Sequence, residues 1–310
     1  MQTREYRFPS ATGVCEIAAA AYTPEDGQFS TVLVIHHGMA EHRARYLDFI
    51  RFLCAHGVAV YMHDMANHGS SNADFADTGW FGRENDGCRA LIEDFRQNVS
   101  HAKAENPDKR LVVMGHSMGS FICRLYTARY PQDGYTGAIY MGTGGPNPIA
   151  GAGKAAASLL AAVKGPKYKS KWLDGLAFGT YGKGFEGRTA VDWLTRDQAI
   201  VDRYVADPYC GFLFTVQGMR DLIGANIASN ADAWYTGVRR ELPILLVSGA
   251  LDPVGDRSKG VEAVRDRLLA TGHTQVTTLL YPDCRHEVLN ELNRDAIMAD
   301  ILAWIDGLAG

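Results

Sequence analysis

The sequence predicts an α/β protein: a mostly parallel central sheet flanked by helices, with a helical insertion. Three observations predict it. Short β-branched apolar runs alternate with longer stretches of helical periodicity. Those runs are continuously apolar rather than alternating, as strands covered on both faces are. One of them leads through a Gly-x-Ser-x-Gly turn into an apolar helical pattern. At 310 residues the chain suffices for one large domain with an insertion.

The elements follow in order. "TVLVIHH" (31–37) reads as a buried strand, and "YLDFIRFLCAHG" (46–57) as a helix stopped by Gly57. "VAVYMHD" (58–64) is the next strand. "CRALIEDFRQNVSHAKAENP" (88–107) is a helix ended by Pro107. "RLVVMGHS" (110–117) is a strand running into a tight turn, followed by a helix over 118–131 and a strand over 137–143. Downstream come a strand at 242–249, a helix near 256–270, a strand at 275–282 and a final helix near 291–308. Residues 144–235 break this rhythm, being rich in Gly, Lys and aromatics without strand signals. The chain is therefore expected to divide into a core of residues 1–143 and 236–310 and a helical cap of residues 144–235.

Composition narrows the function classes. A net charge of −4 argues against nucleic acid as a partner. The six cysteines, at 15, 54, 88, 123, 210 and 284, contain no Cys-x-x-Cys pair. Neither a disulfide framework nor a zinc ribbon is expected. "MQTREYRFPS" has no apolar h-region, and the longest weakly polar run, "IAGAGKAAASLLAAV" (149–163), is too short to span a bilayer. The expected location is the cytoplasm. The oligomeric state is not legible.

"VVMGHSMGSF" holds Gly115-x-Ser117-x-Gly119. About 0.1 such pentapeptides are expected by chance in a chain this long, so the flanking strand and helix carry the weight. A serine on a strained turn needs neighbours without side chains, and Gly115 and Gly119 supply that room. The turn lifts the Ser117 hydroxyl to a helix N-terminus, where developing negative charge is favoured. The plain alternative is a glycine-rich turn whose serine caps the helix.

A serine hydroxyl needs a base. Hydrolases with such an elbow carry their partners in the order Ser, acid, His. Asp252 follows the strand in "LLVSGALDPVGD", and His286 follows the next one in "LLYPDCRHEVLNE". Loops after parallel strands share the carboxyl edge of the sheet, so the three converge there. Asp256 reads as a cap of the following helix, and Asp283 sits in the same loop as His286. His286 would take the Ser117 proton, and Asp252 would orient the imidazole.

"HHGMAEH" (36–42) and "HDMANH" (63–68) look at first like metal knots. Adjacent strand residues point to opposite faces, so His36 and His37 are poorly placed to chelate one ion. Neither stretch has the His-x-x-x-His spacing of a helical zinc site. The expectation is no metal and no cofactor, with the histidines holding a loop in shape. An oxyanion hole fits better. Its backbone N–H donors would be Met118, after the nucleophile, and Met39, in the loop after an earlier strand.

"HHGMAEHRARY" resembles the His-Gly-x-x-Glu-His-x-x-Arg-Tyr motif of the monoacylglycerol lipase and bacterial lysophospholipase group of α/β-hydrolases, of the serine aminopeptidase S33 type. His37, Gly38, Glu41, His42, Arg45 and Tyr46 match it. "GHSMGS" resembles that group's elbow, "HEVLNE" (286–291) its histidine segment, and "DWLTRD" (192–197) and "YVADPYCGF" (204–212) its cap segments. One departure is Asn67 where the group's Asp-x-x-Gly-His-Gly-x-Ser has its first glycine. Asn tolerates positive φ better than most residues. The resemblance implies the α/β-hydrolase fold and hydrolysis of a carboxylic ester with a single acyl chain through an acyl-serine intermediate. A serine peptidase with the same triad, or a metal-dependent hydrolase using the histidines, are the alternatives. "WLDGLAF" (172–178) and "GFLFTV" (211–216) offer an acyl tunnel or the cap's own core, and Val254 is a candidate pocket residue. The small residues of 149–163 suggest close helix packing, or else transient contact with a membrane or micelle.

Overall fold

A computed structural model describes residues 1–82 and 87–308. The strands are β1 (Gln2–Pro9), β2 (Glu16–Thr23), β3 (Thr31–His36), β4 (Val58–His63), β5 (Arg110–His116), β6 (Gly137–Met141), β7 (Ile244–Gly249) and β8 (Val276–Tyr281). They form one sheet in the order β1-β2-β4-β3-β5-β6-β7-β8. From β4 across to β8 every pairing is parallel, while β1 and β2 pair antiparallel at one edge.

The continuous apolar runs are explained by a core on each face. Val32, Val34, Val113, Tyr140 and Leu246 face one apolar layer. Their strand neighbours Leu33, Ile35, Met114, Met141 and Val247 face the other. Successive side chains alternate, so a strand buried on both sides has no polar position to offer. The first layer is completed by α2 (Gly87–Glu105), α3 (Met118–Arg129), α7 (Val216–Ser229) and α9 (Lys259–Ala270). The second is closed by α1 (Leu47–Ala55) and α10 (Arg294–Asp306).

Two strands, β1 and β2, were not legible. β2 holds four consecutive alanines, the best helix formers, and no local strand signal. Pairing to β1 and β4 decides its conformation instead. β1 is largely exposed, and its charged Arg4, Glu5 and Arg7 suit an open sheet edge.

Between β6 and β7 the chain carries α4 (Ala150–Lys164), α5 (Lys171–Phe178), α6 (Gln198–Ala206), α7 and α8 (Asp232–Gly237). α4 packs on α7 and buries Ala157, while Ile149, Leu159 and Val163 remain exposed. The small residues thus serve close packing on one face only. No described helix is long and apolar enough to cross a membrane.

The chain leaves β3 toward β4 on one side and returns to β5 on the other. This reversal separates the loops after β3 and β5 and opens a crevice at the carboxyl edge, where ligands of such sheets bind.

Candidate active site

β5 ends at His116 and α3 begins at Met118, leaving Ser117 alone in the turn. Its φ of 53° and ψ of −122° are strained for a residue with a side chain. Ser117 stands at the N-cap position but its hydroxyl caps nothing, so the capping alternative does not hold. The turn closes only because its neighbours are glycines. A Cβ on Gly115 would meet the Gly119 carbonyl oxygen at 2.1 Å, and one on Gly119 would meet the His36 and His37 carbonyl oxygens at 2.3 Å. Gly119→Ala should therefore force the start of α3 away from the end of β3 and cost about 1–3 kcal/mol. A shift in the urea midpoint checks this, and an unchanged midpoint would show that the turn has slack.

His286 Nδ1 lies 2.9 Å from Asp252 Oδ2. Asp252 is fully buried and also accepts from the Val254 amide at 2.8 Å and the Ser248 hydroxyl at 3.3 Å. A carboxylate only accepts, so Nδ1 carries the proton and Nε2 keeps a lone pair. The His286 ring lies between His116, centroids 4.7 Å apart, and Trp193, 5.1 Å apart. Ser117 and His286 line the same cavity, though no hydrogen bond joins them among the described residues. Such bonds are often long without substrate. Asp283 is exposed and takes no part. Asp256 does not cap α9, whose N-cap is Ser258, and lies in a run of positive φ from 256 to 258.

The loop after β3 shows why Met39 differs from its neighbours. The Gly38 amide donates to Glu41 Oε1 at 2.6 Å, and the Ala40 amide to His68 Nε2 at 3.3 Å. The Met39 and Met118 amides donate to no protein group among the described residues. Both residues line the cavity beside Ser117. Two unpaired amides beside a serine hydroxyl are the donor arrangement that can receive an oxyanion.

The histidine knots brace this loop. His37 Nε2 accepts from the Met65 amide at 2.8 Å, and His37 Nδ1 pairs with the Gly38 carbonyl at 2.8 Å. His68 Nδ1 meets the Ala66 carbonyl at 3.0 Å. Burial pushes the imidazoles of His37, His63 and His68 down, and that of His36 to about 3. Neutral rings let the Nε2 atoms of His37 and His68 accept from the Met65 and Ala40 amides. His36, His37, His63 and His68 assemble no three-donor metal group among the described residues. Asn67 adopts φ 56° and its side chain donates to the Trp80 carbonyl at 2.7 Å, so the residue in the glycine's place keeps the loop.

Sequence reasoning matched Glu41, Arg45 and Tyr46 to a motif without giving them a task. In the structure they form a buried network with His116 and Glu287. Glu41 Oε1 accepts from Tyr46 at 2.8 Å and His116 Nδ1 at 3.1 Å. Arg45 bonds Glu41 at 2.8 Å and holds Glu287 through two bonds of 2.6 Å. Burial alone would raise the Glu41 carboxyl, but the His116 hydrogen bond and the Arg45 charge hold it well below the usual range. Burial likewise opposes charge on His116, and Glu41 outweighs it, so that imidazole is raised. The network links the amide of Gly38 to the segment carrying His286. His116, Trp193 and Glu287 lie in segments matched to the group, but their tasks depend on partners far along the chain.

The cavity has a volume of about 890 Å³, within the range of small-ligand sites. Val254, Leu173, Leu176, Phe178 and Phe212 line it, as do Met39 and Met118. Phe214 instead belongs to the core, so the two aromatic stretches divide between tunnel and packing.

The family described as serine aminopeptidase, S33 matches residues 27–293. A monoacylglycerol lipase of Mycolicibacterium smegmatis is 30% identical over 307 residues, 97% of this chain and 96% of that protein. The structure of a highly thermostable carboxyl esterase from Bacillus coagulans in complex with glycerol superposes with a TM-score of 0.92 at 28% identity, covering 99% of both chains. A soluble variant of monoglyceride lipase from Saccharomyces cerevisiae, at 18% identity and a TM-score of 0.76 over 99% of this chain and 96% of its own, shares the fold.

Proposed function

Because the chain belongs to the serine aminopeptidase S33 family, with an α/β-hydrolase fold, we propose that it hydrolyses carboxylic esters of a single acyl chain, of monoacylglycerol or lysophospholipid type, through an acyl-Ser117 intermediate. One observation carries this reading: Ser117 and His286 stand in the wall of one cavity whose further lining is largely apolar. His286 Nε2 takes the Ser117 proton as the oxygen attacks the ester carbonyl. The Met39 and Met118 amides receive the oxyanion. His286 then protonates the departing alcohol, and a water molecule repeats the cycle to free the acid. In this reading residues 144–235 act as a cap that shapes the acyl tunnel.

The outer face of that cap supports transient contact with a lipid surface. Ile149, Leu159, Val163, Trp172 and Leu176 are 55–69% exposed, and Ile149 and Leu176 also line the cavity. Residues 149–173 carry five lysines and no acid. Lys167 is tied to Asp77 and Lys169 to the Thr78 hydroxyl, and the remaining three favour an anionic interface.

The family description favours one further reading, amide hydrolysis at an amino terminus. Two carboxylates on the cavity wall, Glu41 and Glu287, are already neutralised by Arg45, which weakens their claim on a substrate ammonium. A panel of monoacylglycerols, lysophospholipids, short esters and aminoacyl amides decides by kcat/KM, with lipids offered in anionic and zwitterionic vesicles. Single-chain esters should lead by at least tenfold, and more so on anionic vesicles. A lead for aminoacyl amides would overturn the substrate class and leave the triad in place. Equal rates on both vesicles would overturn the lipid contact.

A further inference from the structure

The loop after β3 poses its metal question again at one histidine. His42, the last of the 36–42 stretch, takes no part in bracing the loop. Its Nε2 lies 2.9 Å from Asp207 Oδ2, across from the turn that follows α6. Cys210 stands in that turn, its amide bonded to the Asp207 carbonyl at 3.0 Å. One imidazole nitrogen, one carboxylate oxygen and one sulfur thus lie within 4.8 Å of one another. Cys210 is free and nine-tenths buried, and its sulfur takes no hydrogen bond among the described residues.

This donor set is chemically selective. A thiolate excludes the hard cations that want oxygen alone, and suits zinc-type ions with imidazole and carboxylate beside it. Donors about 2.0–2.3 Å from a tetrahedral ion stand roughly 3.3–3.8 Å apart, and such an ion takes three protein ligands plus water. The present spacing needs an adjustment of about 1 Å, the His42–Asp207 pair opening from 2.9 Å and wider pairs, up to 4.8 Å, closing. The Asp207 side chain, 30% exposed, has the freedom to supply it, and His42 at 15% exposure leaves a path for an ion. Charge favours a dication as well. Arg45 and His116 are committed to Glu41 and Glu287, which leaves the Asp207 carboxylate to face the ion.

We propose that His42, Asp207 and Cys210 form a zinc-type transition-metal site, separate from Ser117 and His286, that clamps the turn after α6 to the loop carrying Met39. Binding is balanced as follows. The Cys210 thiol releases its proton to solvent and the thiolate joins the ion. His42 ligates through Nε2, with its ring proton on Nδ1. Asp207 gives up its bond to His42 and ligates through oxygen, and water fills the fourth position. The two segments already touch, since the Ala40 carbonyl accepts from the Gly211 amide at 3.0 Å and from Tyr204 at 3.1 Å. The ion would replace the direct His42–Asp207 bond as the third tie beside them. The thiol must lose its proton to ligate, so affinity should climb with pH.

This site does not depend on the hydrolase reading and is tested without substrate. The full chain, freed of metal with chelator, is titrated with Zn²⁺ by calorimetry and with Co²⁺ by absorption. One equivalent of Zn²⁺ should bind, and Co²⁺ should give a thiolate-to-cobalt charge-transfer band. Cys210→Ala should abolish that band, and Cys210→Ala and His42→Ala should each weaken Zn²⁺ at least tenfold at an unchanged melting temperature. Should Cys210→Ala fail to fold, Asp207→Asn, at a more exposed position, carries the same affinity comparison. Absence of the band in the parent protein, a band that persists in Cys210→Ala, or zinc affinity unchanged in the variants would overturn the site.

Discussion

Replacing Ser117 by alanine is expected to lower ester turnover roughly ten-thousand-fold or more and to abolish labelling by a fluorophosphonate. The magnitude follows from the chemistry. Without Oγ there is no acyl-enzyme, and attack by water inherits only the binding cavity and the two free amides. The fold should survive. The Ser117 hydroxyl caps nothing in α3, and alanine inherits the same φ of 53°. The comparison of kcat with the melting temperature separates the two effects. Turnover within tenfold of the parent, or a variant still labelled, would place the nucleophile elsewhere.

Asp252→Asn is expected to lower kcat by about 10⁴ with little change in KM. Asp252 is fully buried behind His286, whereas His286 itself lines the cavity, so substrate binding has little reason to respond. An amide can present its NH₂ group to the imidazole and so favour the tautomer whose Nε2 carries the proton, the wrong one for a base. The neutral side chain also gives up the charge that stabilises the imidazolium. The Val254 amide at 2.8 Å would keep an oxygen partner in asparagine, which limits the structural cost. A loss under tenfold would mean that the flanking rings of His116 and Trp193 suffice to orient His286. A large rise in KM would put Asp252 in substrate binding instead.

The parts legible in the sequence are those whose cause is local. A strand with a core on each side must be apolar at every position, so β3 to β7 declared themselves. The elbow was legible because Gly115 and Gly119 have no room for side chains. β2 was hidden because its alanines say helix and only its neighbours say strand. The reason Met39 keeps a free amide was equally hidden. It depends on Glu41 and on His68, a residue from another loop, taking the amides on either side. The matched segment "DWLTRD" could not reveal what Trp193 does, since its partner is the ring of His286.

That last pairing limits how freely this chain can be recombined. The Trp193 carbonyl receives the His286 amide at 3.4 Å, and the Leu194 carbonyl receives the Glu287 amide at 2.7 Å. Arg285 also donates to the Asp192 carbonyl at 2.6 Å. His286 is thus suspended from the helical segment as well as from the sheet. Swapping that segment between relatives as a cassette to change specificity would also change what holds His286. A productive chimera would have to carry 192–194 and 285–287 from the same parent.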